Sequence, residues 1–179
     1  MIKKIFIGLA FIIVILLLVM LYYCDVSERK KVNVSLLECV DGDTVWFNVN
    51  QKRVKVRFLG LNAPEIAHED SEAELYGDEA KTFVCSTLEN ANSIYLEYDS
   101  ASDLYDKYDR LLAWVFVDGK NLNEFMVLNG YAEVKYVYSN YRYVDDLCMA
   151  QEKAYQRKVG IWESNRLNYT KNYCNKKRS

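Results

Sequence analysis

Val45-Trp46-Phe47-Asn48-Val49, then Asn50-Gln51-Lys52, then Arg53-Val54-Lys55-Val56-Arg57-Phe58 is the most informative stretch of the chain. In its first run Val45, Phe47 and Val49 alternate with Trp46 and Asn48; in its second, Val54, Val56 and Phe58 alternate with Arg53, Lys55 and Arg57. A period of two sends successive side chains to opposite faces of a sheet. Each run therefore reads as a strand with one apolar face, and the polar connection reads as a hairpin. Arg57 points away from the Val54, Val56 and Phe58 face.

Working outward, the pattern is already strand-like from Val32. Downstream, Ala80, Phe83, Val84, Thr87, Leu88 and Ala91 recur at helical i, i+3, i+4 spacing, and residues 93–98 and 111–117 read as further strands. Leu122, Phe125 and Met126 predict a short helix stopped by Asn129-Gly130. Val144, Leu147, Cys148, Gln151, Ala154 and Tyr155 predict a longer one, ending with Arg157 and Lys158 before Gly160. The order is three strands, a helix, two strands and two helices. Strands that arrive in neighbouring groups favour a mostly antiparallel α+β fold over a doubly wound sheet.

The chain has 179 residues and a mass of 21.0 kDa, about one domain's worth. Ile5 to Tyr23 is a block of 19 residues without a charge. As a helix it would be roughly 28 Å long, close to the ~30 Å hydrocarbon thickness of a bilayer. A cleavable signal has a shorter apolar core and small residues at its cleavage site, whereas this block ends in Leu21-Tyr22-Tyr23. Residues 1–24 are thus expected to be an uncleaved membrane anchor, an N-terminal transmembrane helix, with secretion after signal cleavage as the alternative. Bulky Tyr23 before Cys24 argues against lipid attachment there. Residues 25–31 read as a charged linker, 32–164 as the domain and 165–179 as a polar tail with a basic tip. Lys3, Lys4 and the amino terminus favour the inside for the short end, although Arg29, Lys30 and Lys31 follow the span. The expected location is membrane-anchored, with the domain outside the cytoplasm.

Without residues 1–24 the chain keeps 21 basic and 25 acidic side chains, a formal charge of −4. That excludes a histone-like binder whose affinity comes from excess Lys and Arg. His68 is the single histidine, which excludes HExxH zinc sites and two-histidine nucleases, and no GxSxG stands in the chain. The five cysteines are scattered with no CxxC pair. They are expected to be mostly buried free thiols, with one bridge possible and an odd count that prevents complete pairing.

Carboxylate, guanidinium, ammonium, phenol and a hard metal remain as chemical vocabulary. Asp41-Gly42-Asp43-Thr44 lies in a turn between strand patterns, where oxygen ligands can converge on a cation. Arg57 through Glu65 holds the only proline, Pro64, which fixes a bend just before Glu65. Asp106-Lys107-Tyr108-Asp109-Arg110 opens the strand over 111–117. Two arginines, two metal-capable oxygen groups and one carboxylate base at strand ends suit phosphodiester hydrolysis: guanidinium matches phosphate oxygens bidentately, a hard cation spreads developing charge, and a carboxylate deprotonates water.

These segments, with Tyr76-Gly77, Asn123-Glu124, Gly130-Tyr131-Ala132, Tyr136-Val137-Tyr138 and Gly160-Ile161-Trp162, resemble the staphylococcal (thermo)nuclease family over the whole of residues 32–163. The resemblance implies a five-stranded OB-fold β-barrel with three helices. It also implies calcium-dependent endonuclease and exonuclease action on DNA and RNA that leaves 3′-phosphates, by a monomer. Carried over position by position, Asp43 would ligate Ca2+ by its carboxylate, Asn62 by its side-chain oxygen and Ala63 by its carbonyl. Glu65 would be the general base, and Arg57 and Arg110 the phosphate clamp. Lys107 and Tyr108 would hold a terminal phosphate, while Tyr136 and Tyr138 would pack against a base.

Two positions depart from the family pattern. Asn62 stands where an aspartate is usual, and loss of one ligand charge implies weak calcium binding, in the ~10⁻⁴–10⁻³ M range. Asp109 stands where glycine is common and sets a negative charge beside Arg110. Glu65 to Glu79 holds seven acids around His68 and reads as a solvated acidic loop. The rival readings are a catalytically impaired, membrane-tethered OB-fold module that binds nucleic acid or a protein, and a phosphodiesterase acting on small nucleotides.

Overall fold

The computed structural model describes residues 11–20, 31–67, 72–163 and 173–174. The chain divides into two compact units, Met1–Lys30 and Lys31–Ser179. In the first, residues 11–20 are helical. Among the described residues no helix is long and apolar enough to cross a membrane. The described helical stretch covers only about 15 Å, half of a bilayer core. The expected transmembrane helix is therefore not met by the described residues, and the rest of residues 1–24 lies outside them.

The second unit is built on the hairpin. Strand β2 (Thr44–Val49) pairs with β3 (Lys52–Phe58), setting Val45 opposite Val56, Trp46 opposite Lys55 and Val49 opposite Lys52. The loop is Asn50-Gln51 alone, at φ of 51° and 66°. Two positive φ angles give a loop whose twist matches that of the flanking strands, and this draws Lys52 into β3 rather than into the turn. Strand β1 (Lys31–Cys39) pairs with β2 through residues 34–39 and with β5 (Ile94–Glu97) through residues 31–33, with a register shift between Leu36 and Glu38. One extra residue there bends the strand so that it serves both neighbours. β5 pairs with β6 (Leu111–Val117), and the start of β6 returns parallel to the end of β3, with Val56 opposite Leu111 and Phe58 opposite Ala113. The sheet β3-β2-β1-β5-β6 thus closes into a five-stranded barrel, the expected OB-fold arrangement.

Three two-residue strands were not expected: β4 (Leu61–Asn62), β7 (Lys120–Asn121) and β8 (Glu133–Val134). β4 pairs with β8, and β7 extends β6 as a hairpin. Two residues carry no periodicity, so pattern alone cannot reveal them. The helices are α1 (Gly77–Glu89), α2 (Leu122–Leu128) and α3 (Val144–Arg157), followed by a 3-10 turn over Gly160–Trp162. Asn121 caps α2 by accepting from the amides of Asn123 and Glu124. α3 ends on Lys158 in the left-handed region. Val45, Phe47, Val56, Phe58, Leu96 and Trp114 fill the barrel, and Val84, Met126 and Leu147 bring the three helices onto it as one core.

The cysteine expectation is corrected. Cys39 at the end of β1 pairs with Cys85 of α1, and Cys148 of α3 pairs with Cys174, with Cα atoms 6.0 and 5.4 Å apart. The partners are 46 and 26 residues apart in sequence, spacings that carry no motif, and only the packing of α1 and α3 brings them together. Cys24, His68, Glu69, Asp70 and the tail apart from residues 173–174 lie outside the described residues.

Candidate active site

The turn between β1 and β2 is closed by the Val40 and Asp41 amides, which donate to Thr44 O at 3.0 and 3.2 Å, while Asp43 N donates to Asp41 Oδ1 at 2.9 Å. It delivers Asp43 to the barrel edge, where the side chain is buried. Asp43 Oδ1 accepts from the Thr44 hydroxyl at 3.0 Å, and Oδ2 accepts from Ala63 N at 2.8 Å and pairs with Arg57 Nη2 at 2.9 Å. Burial pushes the Asp43 carboxyl up to about 7, assisted by the charge of Asp41 and opposed by Arg57 and the two hydrogen-bond donors. Gly42 makes the close packing possible, since a Cβ there would stand 2.7 Å from that of Ala63.

Arg57, the last residue but one of β3, stands opposite Thr44 and is also buried. It points away from the Val54, Val56 and Phe58 face, and the β3–β4 turn folds over it. Nη1 donates to the carbonyls of Phe58 and Leu61, each at 3.1 Å, and Nη2 donates to Asn62 Oδ1 at 3.3 Å. The Tyr136 ring lies 5.8 Å from the guanidinium. Asn123, fully buried on α2, holds this turn to the barrel: Nδ2 donates to Leu59 O at 2.9 Å, and Oδ1 accepts from Val115 N at 3.0 Å.

Past buried Pro64 the chain exposes Glu65. Glu65 N donates to Glu74 Oε2 at 3.0 Å, and Glu74 N donates back to Glu65 O at 2.9 Å, so the ends of the acidic loop are clamped together. Gly77, at the start of α1, lies directly against this backbone; a Cβ there would come within 2.3 Å of Glu65 O.

Arg110 stands at the mouth of β6 in a turn organised by Asp106. Oδ1 of Asp106 accepts from the amides of Tyr108 and Arg110 at 2.9 and 3.0 Å, and Oδ2 accepts from Arg110 Nε at 2.7 Å and pairs with Nη2 at 2.7 Å. Partial burial would push this carboxyl up, but the donors of Arg110 and Tyr108 outweigh it and hold Asp106 below the ordinary carboxylate value. Asp109 is exposed and takes φ 59°. That left-handed conformation is natural for glycine and is tolerated by aspartate, which accounts for the departure in backbone terms. The Tyr108 ring receives Lys107 Nζ at 4.8 Å and the Arg110 guanidinium at 5.2 Å.

The walls of the site are tied down by Asp99, buried after β5. It accepts from Trp114 Nε1 at 2.8 Å, from Arg142 N at 2.7 Å and from Ala101 N at 3.0 Å, joining the loop that follows β5 to the segment that precedes α3. Nearby, burial and a 2.7 Å hydrogen bond to Glu97 push the Tyr143 hydroxyl up to about 12.

These elements enclose a cleft of about 950 Å³. Asp43, Arg57, Asn62, Glu65, Lys107, Tyr108, Arg110, Tyr136 and Tyr138 all line it. Ala63 contributes its amide to Asp43 at 2.8 Å. Asp41 falls with Asp43 in the turn expected to bind a cation, whereas sequence reasoning gave no individual role to Asp106, Tyr105 or Tyr141; all four also line the cleft. For Asp106 the available signal was an aspartate whose carboxylate accepts from amides two and four residues further on and so closes its own turn. Among the described residues no group of three or more His, Cys, Asp and Glu is placed to hold a metal ion. Asp41, Asn62 and Glu65 bring further side-chain oxygens to the same cleft, and at the Asp43 carboxyl burial outweighs Arg57 and the two hydrogen-bond donors. That chemistry suits a hard dication completed by carbonyl, amide and solvent oxygens.

Residues 55–164 match the family model described as Staphylococcal nuclease homologue. The chain is 38% identical over 137 residues to the endonuclease YncB of Bacillus subtilis, covering 76% of this chain and 64% of that protein. It is 37% identical over 138 residues to the SPbeta prophage-derived endonuclease YokF of the same organism, covering 76% and 46%. It is 30% identical over 138 residues to the thermonuclease of Staphylococcus hyicus, covering 77% and 80%. The match thus spans less than two thirds of the length of the two Bacillus relatives. A closed five-stranded barrel whose rim gathers these arginines and carboxylates, matched by the family model over most of its length, places the chain in the staphylococcal nuclease family.

Proposed function

We propose that the domain is a nuclease that hydrolyses phosphodiester bonds in DNA and RNA to 3′-phosphate products with the help of Ca2+. The observation that carries this reading is one cleft lined by Asp43 before β2, Arg57 of β3, Asn62 of β4, Glu65 beyond it and Arg110 before β6. Asp43 and Asn62, with Asp41 beside them, would hold the cation, which lowers the cost of charge growing on the phosphate. Glu65, exposed on the cleft wall, takes the proton of the attacking water. Arg57 and Arg110 meet the extra charge on the phosphate oxygens, and both are already oriented, Arg57 by two backbone carbonyls and Arg110 by Asp106. Donors fixed before the reaction cost no reorganisation during it. Lys107 and Tyr108 would hold a terminal phosphate, and Tyr136 and Tyr138 offer faces for base stacking, worth about 1–3 kcal/mol per base.

A second reading, an OB-fold binding module without chemistry, is favoured by one contact set: Arg57 bonds to both Asp43 and Asn62, the oxygens proposed for the cation. Cleavage of a DNA oligonucleotide with calcium or with chelator separates the two. Glu65→Gln and Arg110→Ala should each lower kcat by about 10²–10⁴ with the fold retained by circular dichroism. Wild-type rates in both variants would mean that these two residues do not carry the chemistry, and no cleavage by the wild-type chain with calcium would leave the binding module standing.

The working location is proposed to be outside the cytoplasm, tethered by the amino-terminal segment or released from it. Two disulfides support this, because such bonds persist in oxidising compartments. Protease added to intact cells should remove the domain; protection would reverse the assignment.

A further inference from the structure

The outer face of the β2–β3 hairpin carries chemistry that the cleft does not use. Val45 and Phe47 are fully buried, so Trp46 between them turns to the outside of the barrel, where it is only half-buried. Lys55 lies directly across from it on β3, and Arg53 lies across from Asn48, the next outward position. Both cations sit over the indole, the Arg53 guanidinium at 4.5 Å and Lys55 Nζ at 5.5 Å from the ring centroid. Arg53, Lys55 and Arg57 occupy alternate positions of one strand. They therefore share a side and step toward the cleft at roughly 6.6 Å intervals, twice the rise per residue. The repeat is of the size of the phosphate repeat in an extended nucleic-acid strand.

We propose that this face is a substrate track. A single-stranded nucleic acid whose scissile phosphate lies at Arg57 continues over β3, with flanking phosphates on Lys55 and Arg53 and a base against Trp46. The proposal rests on the nuclease reading of the cleft. Charge complementarity supports it: the domain is acidic overall, yet this strand carries Arg53 and Lys55 on its outer face, in register with Arg57 at the cleft. Continuity supports it as well, since Arg57, the last of the three, itself lines the cleft. Arg57 is paired with buried Asp43 inside the cleft, whereas on the outer face Arg53 is paired with Glu38, both side chains half exposed. An exposed pair of this kind is weak and exchanges readily for a phosphate. Stacking on an indole is tolerant of sequence, as suits a strand that extends beyond the reacting bond.

The test compares the full chain with the double variant Arg53→Ala/Lys55→Ala and with Trp46→Phe, on a dinucleotide and on a long single-stranded oligonucleotide. For the double variant, kcat/KM on the oligonucleotide should fall about tenfold through KM, and the slope of log KM against log salt should flatten by about 1.4, two contacts at ~0.7 each. Dinucleotide cleavage should not change. Trp46→Phe keeps an aromatic face and should weaken the oligonucleotide less than the double variant does. Equal losses on both substrates would mean a structural effect and overturn the track. An unchanged oligonucleotide KM would overturn it too, as would loss of binding to phosphatidylserine vesicles with no change for the oligonucleotide. If the wild-type chain cuts neither substrate yet binds the oligonucleotide, and the double variant binds it about tenfold more weakly, the track stands and the nuclease reading alone fails.

Discussion

Replacing Asn123 by alanine would remove one fully buried amide and break two hydrogen bonds at once, leaving Val115 N and Leu59 O without their partners inside the barrel. A buried backbone group stripped of its partner costs about 1–3 kcal/mol, so the pair should cost about 3–4 kcal/mol. Against a typical total of about 5–15 kcal/mol this is a large share of the stability of the domain. Equilibrium urea denaturation followed by tryptophan fluorescence should show a lowered midpoint at unchanged slope, and a thermal scan a drop of about 10 °C. The isosteric change Asn123→Asp sharpens the reasoning. Its carboxylate would face Leu59 O, where a donor is required, and burial would raise its pKa in the folded state. The sign follows directly: a raised folded pKa gives stability that is present at low pH and is lost as pH rises through that value. The aspartate variant should therefore approach wild type in acid and fall furthest behind it at neutral pH. A loss below 1 kcal/mol for the alanine variant, or an aspartate variant whose deficit grows in acid, would show that Asn123 is not the anchor of the β3–β4 turn.

Gly77→Ala should lower cleavage while the barrel stays folded, because its Cβ would meet Glu65 O at 2.3 Å and displace the proposed base; kcat should fall more than KM rises. Cys174→Ala opens the Cys148–Cys174 link, which closes a loop of 26 residues, and should cost about 3.5 kcal/mol in urea denaturation under oxidising conditions, with no difference in the presence of a reductant. Tyr143 titrates at about 12 against 10.0 when free, so its contribution is complete below pH 10 and disappears as pH rises to about 12. Stability measured from pH 9 to 12 should fall more steeply for wild type than for Tyr143→Phe, and parallel curves would refute that role.

The parts of the fold that could be read in advance are those with one wet face. β2, β3, α1 and α3 bury alternate or helically spaced side chains against the same core, so their periods survive in the residue order. β4 and β8 escape because each is held by a single partner and not by a pattern. Arg57 was placed on the correct side of its strand, but the turn from Phe58 to Asn62 that buries it depends on Asn123 reaching from α2, a contact 64 residues away. The cysteine pairs were illegible for the same reason. The cleft residues were recognisable through their resemblance to a known family, whereas Asp99 and Asp106 act only on backbone amides and neighbouring side chains. Such work leaves no mark in composition. The aspartate at 109 looked like a chemical departure and proves to be a conformational one, set by its positive φ.

The pairing of β3 with β6 also bears on when the molecule becomes competent. Arg57 and Arg110 flank that contact, and it is the ring-closing one, joining segments 55 residues apart at Val56 and Leu111. Contacts between distant parts of a chain carry the largest loop-closure entropy and form slowly. The hairpin can assemble early from local contacts, yet Arg57 and Arg110 come to line one cleft only when the ring shuts. If Arg57 and Arg110 form the proposed phosphate clamp, a chain still emerging from the ribosome, or one clipped before residue 110, would hold only half of it and would not cut nucleic acid.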